Sequence, residues 1–213
     1  LLKATGIAFV EVYFSLKVGI LSTGNELFDS GLEYPHLEKE GKVFDSNRPM
    51  LLSLIHRWGF EGLDLGIIYD EKNSLRKKLD YASSQVDVII SSGGASSGDE
   101  DYVAKLIKSE GKLENWRIAI KPGRPLALGL WNGTPIFGLP GNPVAAFVCS
   151  LIFARPALGL LAGCGWVDPV RYNVVSSFNK KKKPGRREYL RARINADGKA
   201  EIFPSEGSGR ISS

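Results

Sequence analysis

From residue 17 to residue 161 the chain alternates short apolar runs with segments whose apolar residues recur at helical spacing. No other feature restricts the fold as much. Val18-Gly19-Ile20-Leu21, Gly62 to Ile68 and Val86 to Ile90 read as strands. Between them, Asn47 to Trp58 places Leu51, Leu54, Ile55 and Trp58 at helix spacing, and Asn73 to Ser83 does the same with Leu75, Leu79 and Ala82. Tyr102 to Ile107 continues the pattern as a helix. Trp116 to Ile120, Leu126 to Leu130 and Pro135 to Gly138 are three further strands, and Pro143 to Leu161 is an apolar helix with a break at Pro156. Such alternation predicts an α/β fold, a mostly parallel sheet with helices on both faces. Ligands of such sheets bind beyond the carboxyl ends of the strands.

After Gly165 the texture changes. Val174 to Phe178, Glu188 to Ile194 and Ala200 to Phe203 read as strands, and Asn195-Ala196-Asp197-Gly198 as a hairpin turn. The expected organisation is an end of a preceding domain at 1–15, an α/β domain at 16–165 and a small β unit at 166–213. The opening Leu1 to Thr5 reads as a helix end stopped at Gly6, followed by a strand at Val10 to Phe14. Both chain ends read as edges of a longer protein. The net charge of +5 is uneven: residues 1–165 hold 17 Lys+Arg against 18 Asp+Glu, whereas 166–213 hold 11 against 5. The basic surplus therefore belongs to the tail, and without interleaved aromatics it does not suggest nucleic acid. No uninterrupted run approaches the roughly 18 apolar residues of a membrane span, so no membrane is expected. Cys149 and Cys164 form no disulfide framework and read as thiols in a reducing cytoplasm. With His36 and His56 the only histidines, neither a Ser-His-Asp arrangement nor a zinc site can be assembled.

Five loops carry the chemistry. Ser22-Thr23-Gly24-Asn25-Glu26 follows the first strand and reads either as an ordinary turn or as a phosphate-accepting one. In Asp45-Ser46-Asn47-Arg48-Pro49, Asn47 fits a helix N-cap and Asp45 is left without an assigned role. Ser91-Ser92-Gly93-Gly94-Ala95-Ser96-Ser97-Gly98 allows close backbone approach, and the acids Asp99, Glu100 and Asp101 follow it. Three acids beside a phosphate cradle suit a bridging Mg²⁺, which is usually held by one or two carboxylates plus substrate phosphates. Lys121-Pro122-Gly123-Arg124-Pro125 sets two cations in a proline-stiffened loop, which suits an oxyanion or is a solvated basic turn. Gly138-Leu139-Pro140-Gly141-Asn142-Pro143 places an N-cap and a first-turn proline at a helix start.

Together, in this order and spacing, these five loops resemble the molybdopterin molybdenumtransferase family, whose module also occurs in gephyrin. The resemblance covers nearly the whole chain. It implies a three-layer α/β/α molybdopterin-binding domain followed by a small, truncated β-barrel domain. It also implies insertion of molybdate into adenylylated molybdopterin with Mg²⁺ assisting, so that molybdenum cofactor and AMP are released. By that resemblance Thr23, Gly24, Ser92, Gly93, Gly94, Ser96, Gly98, Pro140, Gly141 and Asn142 bind molybdopterin and its phosphates. Asp101, Asp45 and Lys121 are the catalytic candidates, and Asp101 and Glu26 the metal ligands. Lys121, Arg124, Arg191 and Ser208 form the molybdate wall. The implied partners are adenylylated molybdopterin, molybdate, a second copy in a homodimer, molybdopterin adenylyltransferase and recipient molybdoenzymes. In the family the partner copy's N-terminal region closes the site, so this chain alone is not expected to be competent. Alternatives are an adenylyltransferase-type domain, a gephyrin-like scaffold, or a paralogue that binds without turnover. The chain departs from the family pattern at Asn25, usually Asp, at Ala145, usually Ser, and at Arg124, usually Lys. Asn25 removes a charge that would favour Mg²⁺, while Arg124 keeps its charge and adds bidentate geometry.

Overall fold

A computed structural model describes residues 1–29, 41–93, 102–116, 118–182 and 184–203. Strand β1 (Lys17–Thr23) leads into a two-strand parallel ladder of β2 (Leu27–Phe28) and β3 (Val43–Phe44), then helix α1 (Asn47–Arg57). The chain continues through β4 (Glu61–Ile68), α2 (Lys72–Gln85), β5 (Val88–Ser92), α3 (Tyr102–Glu110) and β6 (Lys112–Trp116). A short β7 (Ile120–Lys121) precedes β8 (Ala127–Trp131), β9 (Thr134–Leu139) and α4 (Pro143–Cys149). A π-helical turn at Ser150–Ala154 joins α4 to α5 (Arg155–Leu161), and β10 (Arg187–Glu188), β11 (Ala192–Ile194) and β12 (Ala200–Ile202) follow.

The central sheet runs β4-β1-β5-β9-β8-β6. Its first four strands are parallel, and β8 and β6 close one edge antiparallel. The reversal comes from the tight turn Asn132-Gly133, whose two positive φ angles (49° and 83°) suit a two-residue hairpin. Strand alternation divides the core. Val18 and Ile20 of β1, Val88 and Ile90 of β5, and Phe137 and Leu139 of β9 face one way, toward Leu51 and Ile55 of α1, Ala146 and Cys149 of α4, and Leu158 of α5. Leu21, Ile89 and Ile136 face the other way, toward Leu75 and Leu79 of α2 and Leu106 and Ile107 of α3. The result is the expected three-layer arrangement. Each fully buried leucine or isoleucine contributes about 1.5–3 kcal/mol through removal from water.

α2 starts where the Glu71 carboxylate accepts the N–H groups of Asn73 and Ser74. It is tied to α3 by Glu110, which binds the Arg76 guanidinium and lies 3.1 Å from the Lys72 ammonium. Arg76 chiefly, then Lys72, hold the Glu110 carboxyl down at about 2. A depressed carboxyl contributes stability that is present above the ordinary carboxylate range and is lost as pH falls toward 2. Glu110→Gln is therefore expected to flatten the Tm-versus-pH curve between pH about 4.5 and 2 while leaving the slope above pH 6 unchanged. Thermal melts across that window check it.

Several expectations change. The strand expected at Trp116–Ile120 is β6 at Lys112–Trp116, because pairing with β8 runs from Lys112 opposite Leu130 to Trp116 opposite Ala127. Val10–Phe14 forms no strand, and Phe9, Val12 and Phe14 are exposed. The helix break near Pro156 is instead the π turn just before it, where the Arg155 N–H donates to the Ser150 carbonyl. Proline lacks a donor and crowds the preceding turn, and the wider turn accommodates it. The Pro143–Leu161 run is, by length and composition, long and apolar enough to cross a membrane, contrary to the sequence expectation. Here its Ala145, Ala146, Cys149, Ala154 and Leu158 pack into the protein core.

The region after residue 165 departs most from expectation. β11 and β12 form the antiparallel hairpin around Asn195–Gly198, whose Asn195 carboxamide oxygen accepts the N–H groups of Asp197 and Lys199. Val174–Phe178 contributes one bridge, Ser176 to Ala200, and the expected strand over Glu188–Ile194 is split into β10 and β11. Among the described residues these pairings form no closed barrel, because β10 pairs not with β11 or β12 but in parallel with β7.

Candidate functional site

The carboxyl ends of β1, β5 and β9 lie side by side, and the expected ligand loops converge there. The Gly93 N–H donates to the Leu139 carbonyl at 3.1 Å. A side chain at Gly93 would lie against the Thr23 carbonyl oxygen, well inside van der Waals contact. Gly141 lies on the other side, with its absent Cβ 3.7 Å from the Gly93 Cα. Thr23, Gly24, Ser92, Gly93, Pro140, Gly141 and Asn142 are thus brought to one place. Asn142 caps α4 as expected: its Oδ1 accepts the Ala145 N–H at 3.2 Å, with Pro143 in the first turn. Ala145 serves through its backbone, so the small side chain there costs that cap nothing.

Asn47 is not the cap of α1. Asp45 does that work, its Oδ1 accepting the N–H groups of Asn47 (3.1 Å) and Arg48 (3.2 Å). Asn47 instead reaches across the site. Its Nδ2 donates to Ser92 Oγ and to the Gly141 carbonyl, both at 2.7 Å, so one amide ties the β5 end to the α4 loop. The Gly141 carbonyl can only accept, which fixes the amide orientation and leaves Oδ1 without a partner. Ser22 Oγ and Thr23 Oγ1 are likewise buried without partners. Buried orphan polar atoms are uncommon, and three beside one cradle suit a site that hydrogen-bonds a ligand.

Asp45, expected as a catalytic residue, is 3% exposed and fully engaged. Besides its two capping bonds, its Oδ2 accepts from Arg48 Nε at 3.1 Å. Arg48 Nη1 binds both oxygens of Asp64 (2.6 and 2.5 Å), and Nη2 binds Asp29. Burial works against the Arg48 charge, but the hydrogen bonds to Asp64 and Asp45 outweigh it and raise the guanidinium further. Asp45 is thus a counter-charge and a cap, not a free base. Sequence reasoning missed Arg48. An arginine in the first turn of a helix, three residues after an acid, was the available signal.

Asn25 also has a structural role. It exchanges hydrogen bonds with Asp70, its Oδ1 accepting the Asp70 N–H (3.0 Å) and its own N–H donating to Asp70 Oδ2 (3.2 Å). Glu26, expected as a metal ligand, is exposed, with its carboxylate folded over Gly24. Among the described residues no three His, Cys, Asp or Glu side chains cluster to hold a metal. Gly94, Ser96, Gly98, Asp101 and Ser208 lie outside the described residues.

The expected molybdate wall is brought together only in part. Lys121 Nζ is 3.2 Å from Glu188 Oε1, across the β7–β10 pairing. Arg124 lines an open cavity of about 400 Å³ with Arg186 and Gly185. Arg191 lines a different cavity of about 260 Å³ with Val144, Phe147 and Tyr189, and its guanidinium stacks 5.7 Å from the Phe203 ring centre. The basic loop is seated on α4. A side chain at Gly123 (φ +103°) would fall 2.5 Å from Cys149 Sγ. Gly123→Ala is therefore expected to shift Lys121 and Arg124, to weaken any oxyanion binding that depends on the expected wall, and to cost about 2 kcal/mol of stability. Adding Cys149→Ala recovers part of the stability by relieving the contact, though not the φ strain. Molybdate titration and urea unfolding of both variants check this. Burial pushes the Cys149 thiol up to about 12, so it should resist alkylation at pH 8 in the folded protein while the exposed Cys164 reacts.

These loops can be set beside known proteins. Residues 19–159 match the family model described as a probable molybdopterin binding domain. The chain is 37% identical over 205 residues to the molybdopterin molybdenumtransferase of Haemophilus influenzae, covering 95% of this chain and 50% of that protein. It is 34% identical over 216 residues to the same-named protein of Nostoc sp., covering 98% and 48%. The molybdopterin biosynthesis moeA protein of Pyrococcus horikoshii OT3 superposes with a TM-score of 0.75 at 28% identity, over 99% of this chain and 49% of that one. The chain thus spans about half the length of the curated relatives it matches. With residues 19–159 matched by that family model, the chain belongs to the molybdopterin-binding domain family and is similar to the molybdopterin molybdenumtransferases.

Proposed function

We propose that the protein containing this chain inserts molybdate into adenylylated molybdopterin, giving molybdenum cofactor and AMP. The observation that carries the reading is the joined cradle: Asn47 ties Ser92 to Gly141 beside the unpartnered Thr23 and Ser22 hydroxyls. Gly93, Gly141 and Asn142 let a pterin and its phosphates approach the backbone closely. Asn47 Oδ1 can only accept, so it suits an N–H or NH₂ of the heterocycle rather than a phosphate oxygen. In the hydrolytic half-reaction a water oxygen bonds to the adenylyl phosphorus, the anhydride P–O bond breaks, and AMP leaves with molybdopterin keeping its own phosphate. Asp101 is the candidate base; Asp45 acts by positioning Arg48 and Asn47. Lys121, Arg124 and Arg191 supply cations to the molybdate oxyanion, with Ser208 as a further donor.

Mg²⁺ is the metal of this reading: Glu26 on the Gly24 turn, with Asp101 in the alternative to its role as base, would hold it, and the ion would neutralise phosphate charge. Asn25 holds Asp70 rather than a metal in this reading. A homodimer completes the pocket, with molybdopterin adenylyltransferase and recipient molybdoenzymes as transient partners in the cytoplasm. Retention of Lys121, Arg124, Arg191 and Ser208 together favours catalysis over a scaffold role. The test supplies full-length protein with adenylylated molybdopterin, molybdate and Mg²⁺ and follows AMP release and activation of a molybdoenzyme. Release is expected, and Lys121→Ala should slow it at least tenfold. No AMP from the wild type, with no effect of the substitution, would refute the reading.

A further inference from the structure

The basic segment from Lys180 to Arg193 contains eight Lys and Arg and one acid, Glu188. That one acid is placed by the backbone. The Arg187 N–H donates to the Ala119 carbonyl and the Tyr189 N–H to the Lys121 carbonyl, both at 2.8 Å, which puts Glu188 in register with Lys121. Glu188 Oε1 then lies 3.2 Å from Lys121 Nζ. The lysine side chain is half exposed (51%), whereas the glutamate is mostly covered (16%), so the carboxylate is the fixed member and the ammonium the movable one. Arg124 and Arg186, on the neighbouring cavity, have no ion pair among the described residues. The pairing of Lys121 is therefore selective, not a general neutralisation of the wall.

We propose that Glu188 is an internal competitor for Lys121: it holds the ammonium when no oxyanion is present and limits how tightly a tetrahedral dianion binds there. This rests on the reading of Lys121 as an oxyanion-binding residue. An arriving dianion has two routes. If Lys121 swings to it, the Glu188 pair is given up; if the pair persists, the dianion meets a carboxylate within contact range. Both routes lower affinity, and a neutral isostere at 188 removes both. The pair is partly exposed, so the gain on removal is roughly fivefold rather than a thousandfold. One function of such an arrangement is to keep weakly bound oxyanions from lodging on the lysine, leaving occupancy to an anion that also engages Arg124.

The test is calorimetric titration of sodium molybdate into the full-length wild type, Glu188→Gln, Lys121→Ala and the double variant. Glu188→Gln is expected to tighten binding roughly fivefold, and the gain should vanish in the Lys121→Ala background. The β7–β10 pairing is made by backbone groups, so Gln at 188 keeps it. Glu188→Ala, which leaves no side-chain amide, should shift affinity in the same direction. Unchanged or weaker binding in both Glu188 variants, while Lys121→Ala still loses affinity, overturns the competitor role alone and makes Glu188 an orienting group. No effect of Lys121→Ala overturns the oxyanion role of Lys121, and the competitor role falls with it.

Discussion

Gly93→Ala is expected to destabilise the protein by about 3 kcal/mol and to abolish the ligand binding proposed for the cradle. Gly93 sits at φ +90°, a conformation that an L side chain rarely adopts. That alone costs about 1–3 kcal/mol. The added methyl would also meet the Thr23 carbonyl oxygen, with Thr23 Oγ1 just beyond it at 3.1 Å. A backbone oxygen cannot rotate away as a side chain can. The β1 end must move, and forcing atoms into a packed region costs roughly another 1–3 kcal/mol. Movement there pulls on the Gly93-to-Leu139 hydrogen bond and opens the cradle. Gly141→Ala is the matched control, since its nearest neighbour would be the Gly93 Cα at an ordinary 3.7 Å and its φ is not positive. Urea unfolding should separate the two by at least 2 kcal/mol. Equal midpoints for the two variants would sink the packing argument.

Arg48→Met should cost about 3–5 kcal/mol, because it leaves Asp45 buried without its counter-charge. The three partners of Arg48 do not contribute equally. Asp64 and Asp29 are about half exposed (49% and 51%), and such pairs are worth up to about 1 kcal/mol each. Asp45, with 2% of its side chain exposed, supplies the large effect. A second substitution tests the attribution. Arg48→Met with Asp45→Asn removes the stranded charge and should recover a good part of the loss, although the α1 cap weakens by about 1 kcal/mol. No recovery in the double variant would mean that the cost lies in the packing of the arginine stem. Because Asn47 follows the same cap, both variants should also lower affinity for the molybdopterin ligand proposed for the cradle.

Elements defined by long, regular spacing were legible in the sequence. α1, α2 and the strands β1, β4, β5, β8 and β9 lie within a residue or two of where periodicity places them. Each buries a face that the spacing alone marks. β6 was misplaced because Lys112 to Trp116 carries no clear alternation, and its position comes from pairing with β8. The hairpin reversal at Asn132-Gly133 had a local signal, an Asn-Gly pair between two apolar runs, which the strand assignments left unused. After residue 165 the strands are two or three residues long, and runs that short are defined by partners more than by composition.

For the candidate site, the sequence by itself determined which loops follow the strands. Glycines, hydroxyls and cations follow the strands, and an α/β sheet presents those loops at one edge. Only the tertiary structure decided what each side chain does there. It gave the cap of α1 to Asp45 and freed Asn47 to join Ser92 to Gly141, residues 45 and 94 positions away. It set Lys121 against Glu188 and separated Arg124 from Arg191. The reason is physical: local spacing fixes which face of an element a residue occupies, whereas hydrogen bonds and ion pairs between distant residues depend on strand order and register, which no local pattern encodes.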